Sequence, residues 1–182
     1  MLKQKPTFEA IEPNFGHSFM YQKFDANTNN KVNKWHYHPE IELVYVNGGA
    51  GKRQIGSNLS YYTNGTLILV PSNLPHCGFT DELTGNRSET VIQMKMDFLG
   101  ENFFNIPEMV KIQNLFEMAK GGIVFFGETK QRLGKKMEAL EHLSNFERLL
   151  SILDILHGLG TTEEFRILNA HRYSLEADTK DN

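Results

Sequence analysis

His36-Tyr37-His38-Pro39-Glu40-Ile41-Glu42 and, further along, Gly65-Thr66-Leu67-Ile68-Leu69-Val70-Pro71-Ser72-Asn73-Leu74-Pro75-His76 are the two stretches from which the rest of the chain is read. His36, His38 and Glu42 share sequence parity, so an extended backbone sends their side chains to one face of a strand. His76, closing a second β-rich run, adds a third imidazole. Three imidazoles and a carboxylate suit a first-row divalent ion that keeps open coordination positions. The residue types leave that ion open among Zn, Fe, Mn, Ni and Cu. The competing reading is a polar cluster that holds no metal.

Around these stretches, from about residue 16 to 97, short β-rich runs are broken by Gly, Asn and Pro. Ser18–Phe24, Ile41–Val46, Gly51–Ile55, Leu59–Tyr62, Thr66–Val70, Cys77–Thr80 and Thr90–Met96 are the candidate strands. Their rhythm predicts an antiparallel sandwich or barrel. Ile41–Val46 is apolar on both faces after Glu42, as expected of a strand covered on both sides. Asn47-Gly48-Gly49 turns the chain into the next strand.

Past residue 97 the apolar period lengthens to about 3.6. Asn105-Ile106-Pro107-Glu108 predicts a capped helix start, followed by Met109, Ile112, Phe116 and Ala119 on one face. Gly121-Gly122 stops it, and Ile123–Phe126 reads as short and extended. A longer helix is expected from about Glu128 to His157, striped by Leu133, Met137, Leu140, Leu143, Phe146, Leu150, Leu153 and Leu156. Gly158 and Gly160 end it. The stretch from Ala170 to Asn182 is polar and reads as a linker or frayed end.

A chain of 182 residues with 40% hydrophobic and 23% charged residues has the balance of a soluble globular protein. The first residues carry no apolar run behind Lys3 and Lys5, so no signal peptide is expected, and the single Cys77 fits a reducing cytoplasm. A net charge of −3, with Lys52-Arg53 and Lys135-Lys136 as the densest basic pairs, argues against this chain binding DNA by itself.

The two opening stretches resemble the paired motifs of the cupins, G-x5-H-x-H-x3-4-E-x6-G and G-x5-P-x-G-x2-H-x3-N. His36-x-His38-x3-Glu42-x6-Gly49 fits the first, and Gly65-x5-Pro71 followed by His76 fits the second. Asn30 and Asn73 stand where the motifs have Gly, and Thr80 where the second has Asn. Asn tolerates positive φ better than most residues, so the first two departures are mild. With a helical region following, the arrangement is similar to the N-terminal effector-binding and dimerisation domain of AraC/XylS-type transcriptional regulators. Trp35–Val46 looks like the strand that opens such domains, and Leu67–His76 like their L-x-x-x-P-x-x-x-P-H segment. The likeness spans roughly residues 16 to 168.

This resemblance implies a mainly β fold, a cupin (double-stranded β-helix, jelly-roll) barrel followed by a C-terminal pair of α-helices. It divides the chain into a barrel sensor over 1–97, a helical dimerisation unit over 98–168 and a linker over 169–182 leading to a DNA-binding domain. No helix-turn-helix pattern follows residue 168, so the chain is expected to be a piece of a longer regulator rather than a stand-alone sensor. The implied protein is a cytoplasmic, non-enzymatic sensor that binds a small-molecule effector in the barrel and touches no membrane. His36, His38, Glu42 and His76 would serve both metal and effector. Leu143, Phe146, Leu150 and Leu153 would form the homodimer contact. The alternative is a metal-dependent cupin enzyme, a dioxygenase or sugar isomerase, using the same four ligands. No clear acid or base stands beside the ligand motif in this reading, which favours the sensor.

Among the remaining candidates, Glu40 is expected at the surface or behind the ligands. Cys77 is expected to be a packing residue. His17, His142, His157 and His171 have no partner at ligand spacing. Trp35, Tyr37, Tyr45, Tyr61 and Tyr62 could line a cavity, though only some can face it.

Overall fold

Strict alternation along Ile41–Val46 builds the molecule in layers, because Leu43 and Tyr45 are buried in one apolar cluster and Val44 and Val46 in another. A computed structural model of the chain describes residues 5–13, 17–28, 34–77, 79 and 87–169. Its strands are β1 (Thr7–Phe8), β2 (Phe19–Phe24), β3 (His36–Tyr37), β4 (Ile41–Val46), β5 (Ala50–Ile55), β6 (Asn58–Thr63), β7 (Thr66–Val70), β8 (Glu89–Met94), β9 (Ile123–Phe125) and β10 (Phe165–Ile167). Its helices are α1 (Val110–Met118), α2 (Gly127–Ala139) and α3 (Asn145–Thr161).

The larger sheet runs β10-β9-β7-β4-β8-β2 and is antiparallel throughout. Facing it are the β5–β6 hairpin and the short parallel pair β1–β3, joined through bridges from His76 to His36 and Ile55. Val44, Val46, Ile55, Ile68, Val70 and Val91 fill the space between these layers. The outer face of the larger sheet carries Leu43, Leu67, Leu69 and Ile92, which pack with Leu115, Leu133 and Ile155 of the helices. Covering each such side chain is worth roughly 1.5–3 kcal/mol. The helix layer sits very close: a Cβ on Gly134 of α2 would lie 2.2 Å from the Tyr45 ring.

The mainly β, antiparallel expectation agrees with this architecture, but the helical part differs from the expected pair. The predicted helix over Glu128–His157 is broken between α2 and α3. Ser144 accepts from the Glu147 amide while the Glu147 side chain returns to the Ser144 amide, and this reciprocal cap starts a new helix. Asn105 does not cap α1. It ends a short 3-10 turn, its side chain accepts from Gln113, and α1 begins only at Val110.

The line drawn at residue 97 does not separate two packing units. Ile123–Val124–Phe125 is extended as expected, and it pairs with β7 as an integral strand of the larger sheet, with β10 beyond it. The linker reading at 169 is also amended, because Asn169 is buried and donates to the carbonyls of Ile55 and Gly121. The rest of that segment, 170–182, lies outside the described residues, as do Asn30, Thr80 and His171. A strand over Cys77–Thr80 is not formed at Cys77 or Phe79, the two residues of that run that are described. Asn73 does adopt the positive φ, 60°, that its place in the motif called for.

Candidate metal centre

Pro39 lacks an amide hydrogen for a ladder, and it divides the segment that was expected to be one strand. His36 therefore lies on β3 in the smaller layer, His38 on the corner, and Glu42 on β4 in the larger sheet. The side chains converge all the same. His36 and His76 exchange backbone hydrogen bonds of 3.0 and 2.9 Å, which sets their rings 4.2 Å apart between centroids. The His38 ring lies 5.1 Å from that of His76. The Asn73 amide donates to the His38 carbonyl at 2.8 Å and so pins the corner to the Pro71–His76 loop.

One donor atom from each of His36, His38 and His76 falls within a span of 4.8 Å, and all three side chains are buried. The orientation of each ring is fixed from behind. Nδ1 of His36 faces the Lys34 carbonyl at 2.7 Å, Nδ1 of His38 the Glu40 carbonyl at 3.1 Å, and Nδ1 of His76 the Leu74 carbonyl at 2.9 Å. A carbonyl only accepts, so every Nδ1 carries the hydrogen, and every Nε2 is left to offer a lone pair. Glu42 sits among them, with Oε2 3.1 Å from His38 Nε2 and Oε1 3.5 Å from His76 Nε2. Three imidazole lone pairs and a carboxylate are the donor set of a divalent metal, and among the described residues His76 Nε2 is buried without a hydrogen-bond partner. The three histidines predicted from the motif are thus brought into one group that could hold such an ion, with Glu42 against His38 and His76.

Without an ion, a proton on His38 Nε2 bridges to Glu42. Burial works against that charge, but the hydrogen bond and charge of Glu42, with the charge of Glu40, outweigh it and raise the His38 pKa. Burial likewise works against the Glu42 carboxylate, and His76 with the His38 hydrogen bond outweighs it, holding Glu42 well below the usual carboxylate range. His36 is pushed the other way, by burial and by the neighbouring His76, toward its neutral form.

Three further residues belong to the site. Gln93 of β8, directly opposite Glu42 in the ladder, donates to Glu42 Oε2 at 2.6 Å. Glu9, just past β1, places Oε2 3.1 Å from His36 Nε2. Glu40 is only 4% exposed, which rules out the surface half of its expected position, and its Oε2 lies 3.8 Å from His38 Nδ1 with no hydrogen-bond partner among the described residues. Glu40 shares the ligand parity, the signal by which the sequence places it at the surface or behind the ligands. The pairing that brings Gln93 and Glu9 in is set by strands distant in sequence. Glu40 and Gln93 also line a chamber of about 590 Å³ with Phe8, Ile11, Met94 and Phe98. Of the five aromatics considered for a cavity, Tyr62 is buried between the layers and Tyr45 beneath the helices, while Tyr61 is exposed. Cys77 is half-buried with its thiol pKa raised by that burial, the behaviour of a packing residue.

Of the expected contact residues, Phe146, Leu150 and Leu153 lie on α3 and Leu143 just before it. Phe146 and Leu150 are 68% and 51% exposed, whereas Leu143 and Leu153 are partly covered by the helix-side core. No helix among the described residues is long and apolar enough to cross a membrane.

No family profile matches the chain, and no curated protein matches it either. Among solved structures it is similar to ToxT from Vibrio cholerae. One crystal structure of ToxT bound to (E)-4-(8-methylnaphthalen-1-yl)but-3-enoic acid shares 15% identity with a TM-score of 0.43, over 76% of this chain and 54% of that one. An apo ToxT variant shares 14% identity with a TM-score of 0.39, over 76% and 53%. A wild-type ToxT bound to unsaturated fatty acid shares 12% identity with a TM-score of 0.38, over 76% and 50%. The alignment thus spans about half the length of each of these proteins.

Proposed function

We propose that this chain is the ligand-sensing and dimerising part of an AraC-type transcriptional regulator. In this reading it is built on a cupin barrel, a divalent ion is held by His36, His38, Glu42 and His76, and a small effector occupies the adjoining chamber. The observation that carries the reading is strand β4. It supports Glu42 on one face and, through Leu43 and Tyr45, the helix layer on the other. An effector touching Gln93 would bear directly on Glu42, and a shift of β4 would reach α2 through the tight Tyr45–Gly134 contact. The two cupin-like motifs support the same assignment, and the exposed Phe146 and Leu150 are an apolar edge suited to meeting its own copy across a two-fold axis. DNA would be bound by helix-turn-helix units outside residues 1–182.

When bound, the ion would supply a Lewis acid that anchors an effector oxygen. The chain's own groups do the remaining work. The Nδ1–carbonyl bonds orient the imidazoles, Gln93 holds Glu42, and the apolar wall of Phe8, Ile11 and Phe98 takes the body of the ligand.

One observation favours the second reading, a metal-dependent cupin dioxygenase or sugar isomerase. The buried Glu40 carboxyl at the chamber wall is the acid or base candidate that the motif alone did not offer. Hydrogen exchange on chelated and Zn(II)-loaded protein tests the sensor. Loading should slow exchange in β4 and also in α2 across the sheet. A change confined to the ligands and their immediate neighbours would remove the transmission on which the sensor reading depends.

A further inference from the structure

Away from the histidine cluster, Arg53 of β5 is only 4% exposed, yet its charge is met by neutral groups. Nε donates to Ser60 Oγ at 2.9 Å and Nη1 to Thr66 Oγ1 at 2.8 Å, and the Tyr62 ring centroid lies 6.0 Å from Cζ. Lys52 beside it is exposed, because alternation on β5 splits this basic pair across two faces. Arg53 opens onto a cleft of about 290 Å³ that is also lined by Lys130 of α2 and Arg166 of β10, with Tyr61, Phe126 and Gly65 completing the wall. The lining contains no carboxylate. Among the described residues no Asp or Glu oxygen lies within 4.0 Å of any of these three cations. Buried charge is costly without a counter-charge, and here burial and the neighbouring Arg166 both work against the Arg53 guanidinium.

We propose that this cleft is a binding site for the phosphate or carboxylate head of a small soluble molecule, clasped between Arg53, Arg166 and Lys130. Planar guanidinium forks match such oxyanions in paired hydrogen bonds, and the ammonium of Lys130 adds a third donor. The recess has room for one head group and a small body, against which the Tyr61 and Phe126 rings stand. A nucleic-acid strand would need a continuous basic track, and this chain is acidic overall with a net charge of −3. An anion here would also fasten β10, a three-residue edge strand, to the hairpin through Arg166 and Arg53. The site is independent of the metal centre.

Calorimetric and thermal-shift titrations on the full 182-residue chain, stripped of metal with chelator and held at constant ionic strength, test the proposal. The probes are inorganic phosphate, phenyl phosphate and phenylacetate, each compared with chloride. Saturable stabilisation by at least one probe is expected, weakened about tenfold or more by Arg166→Gln, with slower hydrogen exchange in β10 on binding. Arg166 is exposed, so this variant keeps its fold, and Arg53→Lys serves as the stricter second variant. Binding of the phosphates alone identifies a phosphate ester as the ligand class, and binding of phenylacetate alone a carboxylate. No saturable response beyond chloride, or binding untouched by Arg166→Gln, overturns the site.

Discussion

The cluster of His36, His38, Glu42 and His76 and the Arg53 cleft each bury charge, and they treat it in opposite ways. Glu42 is surrounded by His38, His76 and the Gln93 amide, so its charge is answered from within the chain. Arg53 is surrounded by two hydroxyls, a ring and another cation. A buried charge compensated internally is part of the folded state's own stability. One left uncompensated adds little to folding and is available to a ligand.

Removing the charge at each place should therefore have unequal consequences. Glu42→Gln is expected to cost about 3 kcal/mol in urea denaturation of the chelated protein, because His38 loses its partner inside the core. Arg53→Met, matched in length, should cost no more than about 1 kcal/mol in the same buffer. Equal losses would break the comparison.

Metal affinity is the next lever. His38→Ala should weaken Zn(II) or Ni(II) binding by about tenfold to a hundredfold in a chelator competition. Glu9→Gln, reaching only His36, should have a smaller effect; an equal one would make Glu9 a ligand. Negligible metal by elemental analysis, together with no thermal shift on adding Zn(II), Ni(II), Mn(II) or Fe(II), would leave the polar cluster without an ion.

The pH dependence follows from the shifted groups. Folding raises His38 above its ordinary 6.5, so that stabilisation is complete below 6.5 and is lost as pH climbs through the raised value. Folding lowers Glu42 below its ordinary 4.5, so that contribution is complete above 4.5 and is lost as pH falls through the lowered value. The metal-free pair should accordingly stabilise most between the two ordinary values. His36, lowered from 6.5, opposes this by favouring the fold as pH rises toward 6.5. Metal affinity should instead keep rising with pH until His38 is deprotonated. Guanidinium titrates far above this range, so Arg53→Met should leave the profile unchanged.

The smallest effect on folding is expected where no charge is buried at all. Phe146→Glu or Leu150→Glu should change stability by less than about 0.5 kcal/mol while giving a monomer by light scattering. Leu153→Glu, partly covered by the core, should destabilise as well. A parent protein already monomeric at tens of micromolar would place the helix edge outside any dimer.

The four residues of the candidate site were legible because a metal site would need particular residue types, and those types stand at motif spacing in one short run and one loop. Glu9 and Gln93 were not, since each enters through strand pairing across a long sequence separation. The break before α3 was legible in principle: Ser144-Asn145-Phe146-Glu147 is a cap signature, but the leucine stripe runs through it and suggested one helix. Of the strands of two or three residues, β9 was legible as a short apolar run, whereas β1, β3 and β10 are too short to show a period and tertiary contacts select them.

By itself, then, the sequence determined the alternation that makes the layers, the residue types that can bind a metal, and the left-handed turn at Asn73, all of which follow from local stereochemistry. Only the tertiary structure decided that β9 and β10 complete the larger sheet, that Glu40 is buried, and that Arg53 faces Arg166 while its neighbour Lys52 faces solvent. Pattern shows which faces a strand has, but what stands opposite each face depends on pairings between segments far apart in the chain, and burial and charge compensation follow from those pairings.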